Sequence, residues 1–288
     1  MTLSVLASYA FADEHRDLPP GSRLMLDSGG YTAWTKGIEI RLPDLAAWYR
    51  SVPAQRYAAL DVLYDPAASL ANALALRELG ADVTPAVHAG TSPAEVDRIA
   101  DHGFTTVALG GLVNRRNSRP DADGWAHTCL DRAAARGLAV HGFGLSPSSA
   151  ARLPLLLRFD SIDSSTWVSA RYAADTRLWD GRTFRSYDMN VDRMKITALM
   201  RHWPGDWTPM LTRHRADKDH PNSGASLRQT RIAGAASMLA WGQWLRARGG
   251  PRVYLASYIN NLSADADAEV NALLDAIGPG EPREEPAA

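Results

Sequence analysis

The sequence predicts an α/β fold of the (β/α)8 TIM-type barrel class, folded as a single domain over residues 1–277. Two observations predict it. Short β-rich runs alternate with Ala/Leu/Arg-rich helical runs along most of the chain, the pattern of parallel strands with helical crossovers. About seven or eight such units fit into 288 residues, which suits a closed barrel better than an open sheet.

The units follow in order. Arg23–Leu26 reads as a buried strand ended by Asp27-Ser28-Gly29-Gly30, and Leu42–Ser51 as its helix. Tyr57–Asp61 leads to Pro66–Leu79, whose apolar residues recur at helical spacing. Val83–Val87 precedes a helix opening at Ser92, where Ser92-Pro93-Ala94-Glu95 fits an N-cap, a first-turn proline and a capping-box Glu. Thr105–Leu109 is followed by Trp125–Arg136, which stops at Gly137. Leu138–Phe143 is followed by Ser146–Leu156, and Phe159–Asp163 comes next. Between Trp167 and Trp207 only a helix around Asp192–His202 can be placed, with a strand over Trp207–Leu211. Arg252–Ser257 reads as the last strand and Ala264–Ile277 as the last helix. Residues 278–288, rich in Pro and Glu, read as a disordered tail.

With 45% hydrophobic and 22% charged residues the composition is that of a soluble globular protein. A formal net charge of −1 does not indicate a global attraction to nucleic acid but leaves room for a local basic face. Cys129 is the only cysteine, so no intramolecular disulfide and no cysteine-rich zinc site can form. The start lacks a basic segment before its short apolar run, and no apolar run is long enough to span a membrane. A cytoplasmic protein without a membrane partner is expected.

Active sites of such barrels lie at the C-terminal ends of the strands. Those ends read Asp27-Ser28-Gly29-Gly30-Tyr31, Asp61, His88, Gly110-Gly111-Leu112, His141-Gly142-Phe143-Gly144 and Asp163-Ser164-Ser165. Each alone has a structural reading: Asp27 as a turn bonding its own backbone, His88 as a satisfied core histidine, the glycines as tight turns. At equivalent positions of successive units they point to one rim and one site. Paired carboxylates suit chemistry at a sugar carbon, one attacking or stabilising an oxocarbenium-like centre while another group manages the proton. Glycine N–H groups can hold a carbonyl or anionic oxygen, and Tyr31 and His141 can face a planar base.

These strand ends, in this order, resemble those of the tRNA-guanine (queuine) transglycosylases. The likeness is greatest to the short phage and actinobacterial queuine tRNA-ribosyltransferase-like proteins, which include transglycosylases that place 7-deazaguanines in DNA. It covers roughly Leu24 to Trp167. It implies a (β/α)8 enzyme that exchanges guanine for a 7-deazaguanine through a covalent aspartyl-sugar intermediate, with no cofactor. Carried onto this chain, it makes Asp163 the nucleophile and Asp27 the general acid/base, assisted by Ser28. Asp61 would accept from the guanine-type N–H edge. The Gly111 N–H would bind the base carbonyl, flanked by Gly110 and Leu112. Tyr31 and His141 would sandwich the base, with Gly29, Gly30 and Gly142 lining the pocket.

The chain departs from the pattern twice. His88 stands where the tRNA enzymes usually have a glutamine, and the zinc site of three cysteines and a histidine after the nucleophile is missing, so no metal is expected. That leaves DNA or tRNA as the polymer, with a free 7-deazaguanine base as the second substrate. Two basic loops follow strand ends, one with Arg115, Arg116 and Arg119 and one with Arg213 and Arg215, suited to backbone phosphates. Trp34, Trp167 and Trp179 are candidates to wedge or stack bases, since the target base must leave its stack. Two readings compete with base exchange: an N-glycosidase or nucleoside hydrolase with water as acceptor, and a non-catalytic binding module.

Overall fold

In the computed structural model the described residues are 3–10, 22–112, 121–145, 152–168, 176–189, 191–203 and 224–256. Eight parallel strands form the sheet: β1 (Ser4–Ser8), β2 (Arg23–Asp27), β3 (Arg56–Tyr57), β4 (Ala86–His88), β5 (Thr106–Gly110), β6 (Ala139–Gly142), β7 (Ser161–Ser164) and, after an inserted hairpin, β10 (Arg252–Ala256). Every strand lies beside its predecessor among these eight, and β10 returns to pair with β1.

The sheet closes. Ala58, just after β3, bridges in parallel to Thr84, just before β4; the Ala59 N–H donates to the Thr84 carbonyl (2.9 Å) and the Thr84 N–H to that of Tyr57 (2.7 Å). Val5 pairs with Leu24, and carrying that row through the seven further seams returns it to β1 eight residues displaced. That is the shear of a (β/α)8 barrel.

Side chains alternate across the strands. Leu6, Met25, Ala58, Tyr254 and Ala256 face inward and plug the barrel axis, with Phe143 against them. Leu24, Leu26, Val87, Leu109, Val140, Ile162 and Leu255 face outward into a larger apolar layer. That layer packs under α2 (Leu42–Ser51), α3 (Pro66–Glu78), α4 (Glu95–Asp101), α5 (Ala122–Ala135) and α6 (Leu153–Leu156). Each large side chain buried there contributes about 1.5–3 kcal/mol, so this layer is the larger stabilising one.

Several elements differ from the sequence expectation. Arg23–Asp27 is the second barrel strand; the first, β1, is the five-residue SVLAS run, too rich in small residues to mark itself. The strand expected over Tyr57–Asp61 is Arg56–Tyr57 with a bridge at Ala58, because the chain turns away to carry Asp61. The capping box at Ser92 does not form: α4 starts at Glu95, and the Glu95 carboxylate binds Arg98 (3.0 Å). α5 starts earlier than expected, capped by the Asp121 carboxylate on the Gly124 N–H (3.2 Å).

After β7 come a 3-10 turn (Thr166–Val168) and an antiparallel hairpin, β8 (Thr176–Trp179) with β9 (Phe184–Tyr187). α7 (Arg193–Met200) matches the helix expected around Asp192–His202. The 23-residue α8 (Gly224–Arg246) was not expected. Its Ala233, Ala235, Ala236 and Ser237 are fully buried, and a Cβ on Gly234 would lie 2.6 Å from the Trp167 carbonyl, so small residues let it pack closely. Residues 146–151 of the expected Ser146–Leu156 helix, the strand expected at 207–211, the helix expected at 264–277 and the tail lie outside the described residues. No described helix is long and apolar enough to cross a membrane.

Candidate active site

The inward positions at the C-terminal end of the barrel are polar. Asp27 ends β2, and its Oδ2 accepts the Gly29 N–H at 3.0 Å. Gly29 takes a left-handed conformation (φ 75°), and Gly30 opens the short helix α1 (Gly30–Lys36), so the expected turn is also a helix start. A Cβ on Gly29 would lie 2.9 Å from the Ala10 backbone nitrogen; one on Gly30 would lie 2.6 Å from Asp61 Oδ1. Gly30 thus lets Asp61 approach the end of β2, while Gly29 lets the backbone after β1 pass close to the same turn.

Burial, first, and the charge of Asp61, second, push the Asp27 carboxyl up to about 7. The Gly29 hydrogen bond pulls it down, and Asp163 pushes it up again. The Ser8 hydroxyl, paired in register with Asp27, also pulls it down through a contact outside hydrogen-bond geometry. Asp27 is therefore a partly exposed acid whose proton affinity is raised toward neutrality by desolvation and by two other carboxylates.

Asp61 follows β3 and meets His88 at the end of β4, Oδ2 to Nε2 at 2.8 Å. Gly110, on β5, makes room for this ring: a Cβ there would lie 2.7 Å from His88 Cδ2. Asp163, on β7, is buried, and its Oδ1 lies 3.2 Å from His141 Nε2 and accepts the Gly144 N–H at 3.0 Å. His141 Nδ1 is 2.9 Å from Ser161 Oγ.

The barrel thus gathers Asp27, Asp61, His88, His141 and Asp163 at one mouth, and Asp27 and Asp163 interact through space. Three expectations are corrected. His141 has no exposed surface and both ring nitrogens are engaged, so it supports Asp163 and offers no face to a base. Gly142 points outward, where a Cβ would lie 2.4 Å from Leu145 Cδ1, and so serves packing; the pocket-side glycine is Gly144. Trp179 is buried against Phe184 and Trp244, away from the mouth, and stacks no substrate base.

Ser28 is buried, its Oγ accepting the Gly30 N–H at 3.4 Å, which shapes the turn. Gly111 is left-handed (φ 74°) and packs on Ala89. Leu112 is buried in the outer layer, its carbonyl accepting from Arg152 at 3.2 Å. Tyr31 and Trp34 are exposed on α1, ring centroids 6.2 Å apart. The Trp167 indole N–H is tied to the Ala256 carbonyl at 2.8 Å. Arg115, Arg116, Arg119, Arg213 and Arg215 lie outside the described residues.

Sequence reasoning missed Ser161 and the partnering of both histidines, and it placed Gly144 at the rim without a role. Only the period-2 alternation of SIDS, which puts Ser161 and Asp163 on one face, pointed to the first. Among the described residues no group of three or more potential ligands is arranged to hold a metal ion. Cys129 is buried and its thiol is pushed up to about 12, which makes it inert.

The fold and mouth define a closed (β/α)8 barrel with a carboxylate–histidine cluster at its C-terminal end. No family model and no curated protein matches the chain. Among solved structures it is similar to catalytic domain 2 of a group II chitinase from Ostrinia furnacalis, at 12% identity and a TM-score of 0.30, covering 69% of this chain and 60% of that one. It is also similar to a xylose isomerase domain protein from Planctomyces limnophilus, at 12% identity and a TM-score of 0.30, covering 94% and 95%.

Proposed function

We propose that this protein is a guanine transglycosylase that exchanges guanine in DNA or tRNA for a free 7-deazaguanine through a covalent aspartyl-sugar intermediate. One observation carries the reading: Asp27, whose carboxyl is pushed up to about 7, and a buried, hydrogen-bonded Asp163 share the mouth, which suits one to acid and the other to nucleophile. The order of the strand-end motifs supports it as well.

In this mechanism Asp163 attacks the sugar C1′. The C1′–N bond breaks with its electron pair going to guanine, which takes the proton held by Asp27. The incoming deazaguanine gives its ring N–H proton to the Asp27 carboxylate and attacks C1′, which releases Asp163. Asp61, fixed by His88, accepts from the N–H edge of either base. Tyr31 and Trp34 offer exposed ring faces for an unstacked base or its neighbour. The missing zinc element favours DNA over tRNA, and a cytoplasmic location follows from such a substrate.

The test is mass spectrometry of nucleosides from total DNA and, separately, from tRNA, in cells supplied with a 7-deazaguanine. A deazaguanine nucleoside that requires Asp163 supports the reading and identifies the polymer. Net base loss without incorporation means the hydrolase, and no change in either polymer overturns the reading.

A further inference from the structure

We infer that Ser161 and His141 form a buried positioning relay that presents one chosen oxygen of Asp163 to the sugar, an inference that rests on the transglycosylase reading. His141 Nε2 (3.2 Å) and the Gly144 N–H (3.0 Å) both address Oδ1. Among the described residues nothing donates to Oδ2. Oδ1 thus carries two donors and, among the described residues, Oδ2 carries none, which leaves it the oxygen for C1′.

For a neutral ring beside an ionised Asp163, the donor logic gives one tautomer. A carboxylate only accepts, so Nε2 carries the proton. In a neutral imidazole Nδ1 is then an acceptor, and the partner 2.9 Å away, Ser161 Oγ, donates to it. All three residues come from adjacent strands, with His141 in register with Ser161 and Asp163 two residues further along the same face. Phe143 (4.8 Å, 74°) and Tyr254 (6.1 Å, 73°) set their ring edges against the imidazole and hold its rotation. No member of the relay needs to touch substrate.

The relay serves both half-reactions. When Oδ2 bonds to C1′, Oδ1 becomes the ester carbonyl, still held by two donors. When the second base attacks, the C1′–Oδ2 bond breaks and its electron pair returns to the carboxylate, where the same donors stabilise the charge on Oδ1.

The experiment follows steady-state exchange of labelled guanine and the mass of an Asp163–oligonucleotide adduct, using the full chain and the polymer modified in cells. The account expects Ser161→Ala to lower kcat about tenfold while KM changes less than about twofold, because binding contacts are untouched. Ser161→Thr, which keeps the hydroxyl, returns kcat to within about threefold of wild type. His141→Ala lowers kcat by about 10²–10³. If the wild type forms neither adduct nor exchange product, the transglycosylase reading fails. If the wild type forms the adduct but Ser161→Ala keeps wild-type kcat, or Ser161→Thr is as slow as Ser161→Ala, the relay is overturned and the reading stands.

Discussion

His88 Nε2 lies 2.8 Å from Asp61 Oδ2, and the pair spans the β3–β4 seam where the barrel closes. A two-residue strand makes this the weakest seam, with few ladder hydrogen bonds. The pair therefore serves closure and site together. Removing either partner leaves a mostly buried polar group alone, which costs about 1–3 kcal/mol. His88→Ala and Asp61→Ala should each lower the unfolding free energy by that amount, measured by urea denaturation. The double variant should be less destabilised than the sum of the two.

Asp61 also sets the proton affinity of Asp27. Its negative charge is the largest electrostatic influence raising that carboxyl to about 7. Asp61→Asn should move the Asp27 midpoint below about 7. Carboxyl NMR titration of the free protein reads this directly, and an unchanged midpoint contradicts it. Because the acid form of Asp27 donates the proton, the alkaline fall of kcat should begin at lower pH in this variant.

Asp27 makes the protein less stable as pH rises. Its folded midpoint, about 7, lies above the ordinary 3.8, so the folded state holds the proton more tightly. Its contribution is fully present below about pH 4 and is lost as pH rises through about 7. The upper bound is on the order of 4 kcal/mol, at 1.36 kcal/mol per pH unit. Asp27→Asn should thus be inactive yet more stable than wild type at pH 8, and similar to it at pH 4. Denaturation at both pH values checks the sign.

Much of this site was legible from the chain and some was not. Asp27, Asp61, His88 and Asp163 stand at strand ends, and strand ends of one barrel converge, so their meeting followed from order alone. The His141-Gly142-Phe143-Gly144 run held two glycines and a histidine; only the pleat shows that Gly142 faces the helices while Gly144 serves Asp163. Likewise, spacing cannot tell a histidine under a carboxylate from one against a base. The hairpin and α8 escaped notice because α8 is apolar or small on more than one side, being buried by the barrel and by the Trp179–Trp244 aromatic cluster.

Gly30 and Gly110 hold the site open. A Cβ would come within 2.6 Å of Asp61 Oδ1 at one and 2.7 Å of His88 Cδ2 at the other. Gly110→Ala should cost about 1–3 kcal/mol through overpacking. In Gly30→Ala, helix propensity offsets part of the clash by about 0.5–1 kcal/mol, so activity should fall more than stability. Thermal melts and exchange assays on both variants separate the effects.

Trp34 is largely exposed on α1. Trp34→Ala should leave the melting temperature unchanged and raise KM for the nucleic acid, by about 1–3 kcal/mol of lost stacking if a base rests there. A fluorescence binding titration checks this.

Exchange of labelled guanine into DNA and tRNA by the purified protein tests the central claim most directly, with Asp163→Asn alongside. The account predicts label entering one polymer without net base loss, and none with Asp163→Asn. Full exchange by Asp163→Asn, or release of guanine with no label taken up, would contradict it.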